Sequence, residues 1–194
     1  MGQLGFYFNQ DDCVGCHTCQ IACKDYHNLE IGVLYRNVES YETGDYPTPG
    51  LYHYAKTCNH CERPLCVASC PSGAMYIAED GTVQQDPELC IGDKACVDAC
   101  PYGVPQYLPA TMKVGKCDAC AELRAEGHNP ACIDACNMRV LEFGALDELR
   151  AKHPGKQLVS DLPILPSSSQ TGPSTIIYPR ACALEASYKY LQEI

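Results

Sequence analysis

The sequence predicts an α+β fold: two small modules of cysteine-bearing loops, short helices and short strands, with insertions and an extended C-terminal arm. Three observations carry that expectation. Sixteen cysteines among 194 residues fall into four local sets with one left over. The sets form two double units, the second and third separated only by residues 71–89 and the first and fourth flanking them. The balance of 14 Lys+Arg against 24 Asp+Glu gives a net charge of −10 without a long apolar run, which argues against a nucleic-acid binder and a membrane-spanning subunit. The opening MGQLGFYFNQDD lacks a secretory signal's charged start, apolar run and cleavage site, so a soluble chain is expected, exported, if at all, with a partner.

Taken in order, Leu4, Phe6 and Phe8 alternate as in a short strand. Cys13, Cys16, Cys19 and Cys23 follow in DCVGCHTCQIACK, a C-x2-C-x2-C-x3-C run with three ligands on a tight loop and the fourth on the helix after it. Residues 24–57, rich in Tyr, Gly and Pro, are too long for a simple loop and are expected to pack on a partner. Cys58, Cys61, Cys66 and Cys70 stand in CNHCERPLCVASCPSGA, closed by Pro71. Ala74 to Ile77 and Thr82 to Gln84 flank the turn Glu79-Asp80-Gly81 and predict a hairpin. Cys90, Cys96 and Cys100 form the third set in CIGDKACVDACPYG, where Asp93 occupies the place of the second cysteine. The fourth set is Cys117, Cys120, Cys132 and Cys136, with AELRAEGHNPA in the middle gap. Short helices should follow Cys19, Cys66, Cys96 and Cys132, each carrying the last cysteine of its set one turn on. ALDELRAKH, residues 145–153, reads as a helix. LPILPSSSQTGPSTIIYP is Pro/Ser/Thr-rich, too weakly patterned to fold alone, and should wrap its own protein or lie along another. Cys182 reads as a small buried residue.

Spacing separates the chemistries. Disulfides need specific Cα separations, and bridging such dense clusters would strain every loop. Structural zinc takes four ligands as two separated knuckles and has no use for repeated runs closed by proline. Iron–sulfur clusters take soft thiolates in fours, which these sets offer apart from Asp93. A carboxylate binds iron more weakly than a thiolate, so that iron is Asp-ligated, water-ligated or lost, leaving [3Fe-4S] in place of [4Fe-4S]. Lys24, Arg63, Lys94, Lys116 and Arg139 lie near cysteines and either raise cluster potentials or serve as ordinary surface charges. His17 and His60 stand inside ligand loops but read as structural or tuning residues. There is no nucleotide loop, GxSxG or P-loop, so the chain is not expected to be an enzyme by itself or to take a small-molecule substrate.

The repeat resembles a bacterial two-cluster ferredoxin, in which the fourth cysteine of each run ligates the partner run's cluster. That likeness implies four clusters: Cys13, Cys16 and Cys19 with Cys136; Cys58, Cys61 and Cys66 with Cys100; Cys90, Asp93 and Cys96 with Cys70; and Cys117, Cys120 and Cys132 with Cys23. Three or four would be [4Fe-4S]. The domains would be an outer ferredoxin-like module of 1–57 and 101–153 (with 24–57 as its partner-contacting insertion), an inner one of 58–100, and the arm 154–194.

CVGCHTCQIACKDYHNL, CNHCERPLCVASCPSGAM, CIGDKACVDACPYGVPQY, KCDAC with NPACIDAC, FGALDELR and TGPSTIIYP resemble the B-type iron–sulfur electron-transfer subunit of the DMSO reductase family of molybdenum enzymes. The resemblance implies a large catalytic subunit holding a molybdenum or tungsten bis-pterin cofactor, and a membrane anchor or other quinol-linked donor. It implies membrane association through those partners and export in folded form with a partner that carries a twin-arginine signal. It places the Cys13 cluster nearest the catalytic subunit and the inner pair nearer the membrane. The sequence departs from the pattern at Asp93, where that type has cysteine and relatives such as nitrate reductase have a non-cysteine residue beside a three-iron cluster. A freestanding polyferredoxin is the alternative, and would be expected to tolerate deletion of residues 160–194.

Overall fold

The first strand is apolar on both faces, and its neighbours explain why. A computed structural model describes residues 2–191. The first half contains β1 (Leu4–Asn9), α1 (Thr18–Tyr26), β2 (Asn37–Thr43), β3 (Gly50–Lys56), α2 (Leu65–Ala68), β4 (Met75–Ile77), β5 (Val83–Gln85) and α3 (Ala95–Ala99). The second half contains β6 (Gln106–Leu108), β7 (Lys113–Gly115), α4 (Ala121–Ala125), α5 (Ala131–Asp134), β8 (Leu141–Ala145), α6 (Leu146–Lys152), β9 (Thr175–Tyr178) and β10 (Tyr188–Leu191), with short 3-10 turns at Ser168–Gln170 and Ala181–Leu184.

β1 is the middle strand of a sheet ordered β8-β1-β9, antiparallel to β8 and parallel to β9. Successive side chains point to opposite faces. Phe6 and Phe8 therefore enter the main core with Tyr54, Leu141 and Ile177, while Tyr7 packs with Leu149 and Ile176 on the other side. Gly5 is required there, because a Cβ would stand 1.9 Å from the Ser174 carbonyl oxygen of the arm.

Residues 24–57 spend one face on their own chain. β2 and β3 pair antiparallel, and Val38, Tyr41, Tyr52, Tyr54 and Ala55 are buried in the main core. The rings of Tyr41 and Tyr52 stack with centroids 5.3 Å apart. β10 completes that sheet beside β2, with Tyr190 opposite Tyr41. The expected hairpin forms as β4 and β5. A second hairpin, β6 with β7, was not foreseen.

The short helices form where expected, and α6 matches the ALDELRAKH segment less its first and last residues. Only Cys23 rides on its helix, however. Cys70, Cys100 and Cys136 lie at or just beyond the ends of α2, α3 and α5, because those helices run only four or five residues. α1 packs against α5 and α2 against α3. The arm wraps its own protein: Thr171, Ser174, Ile176 and Ile177 are buried. Cys182 is half-buried rather than buried, with its thiol 3.9 Å from the Leu51 carbonyl oxygen. No helix among the described residues is long and apolar enough to cross a membrane.

Candidate metal centres

Each cysteine loop turns left-handed immediately before its second ligand position. The residues there are Gly15 (φ 65°), His60 (φ 42°), Gly92 (φ 73°) and Ala119 (φ 57°). Such a turn makes successive backbone N–H groups converge, a cradle for negative sulfur. Accordingly, the His60 amide donates to Cys58 Sγ at 3.5 Å and the Ala119 amide to Cys117 Sγ at 3.3 Å. Asp93 follows Gly92 as Cys16, Cys61 and Cys120 follow their turn residues. Its side chain is exposed, and its Oδ1 accepts the Ala95 amide at 3.3 Å, at the start of α3.

Electrostatic neighbours sort the thiols into groups. Cys13 is acted on by Cys136 and Cys16, and Cys19 by Cys13 and Cys136. Cys61 is acted on by Cys58 and Cys100, and Cys66 by all three. Cys96 has Cys70, Cys90 and Asp93 as neighbours, while Cys23 has Cys117, Cys132 and Cys120. The groups follow one another in space. Cys19 of the first interacts with Cys132 of the fourth, and Cys117 of the fourth with Cys58 of the second. Cys66 and Cys96 share a small core with Met75, Val83 and Val114, which joins the second group to the third.

Burial pushes the thiol of Cys66 up to about 12, that of Cys120 to about 12, and those of Cys19, Cys61, Cys96 and Cys117 to about 11. Such thiols ionise only when a cation faces them, and metal binding supplies that cation. All these cysteines are free of disulfides. Soft donors in four groups, most of them buried and with N–H groups aimed at sulfur, fit iron–sulfur clusters.

Of the five cations near the sets only Lys116 is buried, donating to the carbonyl oxygens of Val83 and Cys117. Lys24 ties the carbonyls of Leu29, Glu30 and Val33 beyond α1. Arg63 holds Ser169 of the arm, Arg139 bonds the Asp134 carbonyl, and Lys94 stands 3.9 Å over the Tyr107 ring. His17 starts α1, with Nδ1 3.4 Å from Gln20 Oε1.

Three neighbours of the thiols escaped the sequence reading. Arg36, just before β2, is fully buried, and its charge acts on Cys132, Cys19, Cys117 and Cys23. His27 places Nε2 3.6 Å from Cys120 Sγ and 3.5 Å from Asp118 Oδ1. The Thr171 hydroxyl of the arm works against the upward push of burial on the Cys61 thiol. No local pattern marks them, since each reaches its cysteine through the tertiary fold.

A family described as "4Fe-4S dicluster domain" matches residues 50–146, and one described as "4Fe-4S binding domain" matches residues 10–26. The B-type chain of anaerobic dimethyl sulfoxide reductase from Escherichia coli (strain K12) is 42% identical over 187 residues, covering 92% of this sequence and 90% of that protein. The protein of the same name from Haemophilus influenzae is 38% identical over 192 residues, covering 94% of this sequence and 92% of the relative. Protein NrfC of Escherichia coli (strain K12) is 35% identical over 149 residues, covering 75% and 67%. The loops, the thiol groups and these likenesses agree that the protein belongs to the 4Fe-4S family of B-type iron–sulfur subunits of dimethyl sulfoxide reductase.

Proposed function

We propose that this chain is a non-catalytic electron-transfer subunit that relays electrons between a quinol-linked membrane partner, or another donor, and a catalytic subunit carrying a molybdenum or tungsten bis-pterin cofactor. One observation carries the reading: the thiol groups succeed one another without a gap, from the Cys13 group through the Cys117 and Cys58 groups to the Cys90 group. The ligand sets would be Cys13, Cys16, Cys19 and Cys136; Cys117, Cys120, Cys132 and Cys23; Cys58, Cys61, Cys66 and Cys100; and Cys90, Cys96 and Cys70 with Asp93 beside them. Bound clusters of this kind supply one-electron chemistry, and the protein spaces, buries and charges their surroundings. The packing of α1 on α5 and of α2 on α3 supports an outer module of 1–57 with 101–153 and an inner one of 58–100.

Both ends of the succession expose apolar side chains. Val14 and Met138 lie with Cys16 at the first, and Leu89, Ile91 and Met112 lie about the Gly92-Asp93 turn at the last. The first end would face the catalytic subunit and the last the membrane-side partner. The third site would hold three irons, because it offers three thiolates and, at Asp93, only a harder carboxylate that binds iron more weakly. Membrane association through partners, and export in folded form with a twin-arginine-signal partner, are part of the same reading.

The test is anaerobic purification from native expression. The chain should carry a large pterin-containing subunit with it, and should hold about fifteen irons and about sixteen acid-labile sulfides. A protein isolated alone, without a large partner, would favour a freestanding polyferredoxin. Deleting residues 160–194 does not separate the two readings, because β9 belongs to the central sheet whichever partner is used.

A further inference from the structure

Arg36 is 2% exposed, and among the described residues no carboxylate stands within ion-pair reach of it. Nη1 donates to the Ala55 carbonyl oxygen at 2.9 Å, and the planar group lies 5.0 Å over the Phe6 ring. Nε and Nη2 are fully buried and have no protein partner. A buried cation with two idle donors is costly unless anions face it. The groups its charge acts on are Cys19 of the first thiol group and Cys132, Cys117 and Cys23 of the fourth. Arg36 thus stands at the seam of the two outer groups.

We infer that Arg36 is the internal counter-cation of the two outer clusters, a positioning residue whose idle N–H groups face cluster sulfur and make both clusters easier to reduce. The inference rests on the reading that these thiol groups hold iron–sulfur clusters. A cubane with four thiolates carries about −2 when oxidised, and reduction adds one electron and one further negative charge. Arg36 stabilises that added charge without exchanging a proton, since guanidinium stays protonated in both states. The inner groups lie beyond its immediate neighbours and should be affected far less.

The experiment is an anaerobic redox titration of the intact complex, followed by electron paramagnetic resonance, for wild type, Arg36→Lys and Arg36→Met. At a poise where the outer clusters of the wild type are half reduced, Arg36→Met should lower their reduced-to-oxidised ratio about tenfold, equivalent to ~59 mV for a one-electron couple. Arg36→Lys keeps the charge, loses the planar fork and should shift them less. The inner clusters should hold their midpoints in both variants. Outer midpoints that stay put in a variant with full iron would overturn the role of Arg36 and leave the cluster assignment standing. A wild type lacking iron in the outer groups would instead remove the assignment itself. Should the methionine variant fail to fold, pulsed resonance on reduced wild type carrying 15N-labelled arginine gives the same decision: nitrogen coupling to an outer cluster supports the contact, and its absence overturns it.

Discussion

His60 ties two cysteine groups together: its Nδ1 accepts the Val83 amide at 3.0 Å, which leaves the ring proton on Nε2, 4.0 Å from Cys117 Sγ. Burial, reinforced by Lys116 and Arg124, holds the imidazole well below its usual range, so the ring is neutral. His60 therefore serves β5 and the Cys117 loop with one ring and donates to Cys58 with its own amide. In His60→Leu the Val83 amide is left buried without an acceptor, a loss of about 1–3 kcal/mol. Thermal unfolding of the anaerobic holoprotein should show a lower midpoint, and an unchanged midpoint would rule out the tie.

At Asp93 the loop geometry of a second ligand is present without its sulfur. Asp93→Cys should therefore raise iron by about one atom per chain and abolish the three-iron signal that the oxidised wild type is expected to show. Gly92 must stay glycine for this to work, since its φ is 73° and a Cβ would meet the Met112 carbonyl oxygen at 2.1 Å. Electron paramagnetic resonance of the oxidised proteins checks the exchange, and a wild type with no three-iron signal would contradict it.

The arm makes a different prediction at each of its strands. Before β9 it runs along the Cys58 loop, where Glu62 and Arg63 donate to Gly172 and Thr171 at 2.8 Å each and Ser174 donates to Asn59 at 2.8 Å. β9 then covers one edge of β1. Ending the chain ahead of Thr171 uncovers β1 and removes the backbone bonds that hold the Cys58 loop, so the product should be insoluble or lack iron. Ending it after Glu185 removes only β10, whose tyrosines are largely exposed, and should leave iron content near normal with a modest fall in stability. Iron content and soluble yield of the two truncations decide this.

The contrast between Cys16 and Arg36 shows what the sequence could disclose. Cys16 announces itself because a cluster demands several ligands from one short loop, and that demand writes a spacing into the chain. Asp93 was legible for the same reason, as a gap in a known spacing. Arg36 has no such mark: it stands in the 24–57 insertion with no ligand spacing around it, and its partners come from α1, α5 and the Cys117 loop. β9 was hidden differently. TIIY is a four-residue apolar run among Pro and Ser, and only pairing beside β1 makes it a strand. Tyr41, Tyr52 and Tyr54 belong to the 24–57 insertion, whose length and Tyr, Gly and Pro content pointed to a partner rather than to a strand pair, yet their alternation is that of a hairpin with one buried face.

Asp80 and Arg124 supply a pH dependence that is independent of the cysteines. Asp80 sits in the β4–β5 turn, where burial alone would raise its carboxyl. The hydrogen bonds from the Thr82 hydroxyl and amide and from Arg124 outweigh that and hold it below its ordinary value. Arg124 Nη1 approaches Asp80 Oδ2 at 2.7 Å, joining α4 to the hairpin. A carboxylate whose pKa is lower in the folded state stabilises the fold above its unfolded value of about 3.9, and loses that contribution as pH falls through the lower folded value. Asp80→Asn should thus be less stable than wild type by about 1–2 kcal/mol at pH 7, a modest figure because both groups keep some contact with water. Measured by thermal unfolding of the anaerobic protein, the gap should stay level from about pH 8 to 5 and narrow as pH approaches 4. A gap that widens on acidification would mean that the carboxylate is not held by these partners.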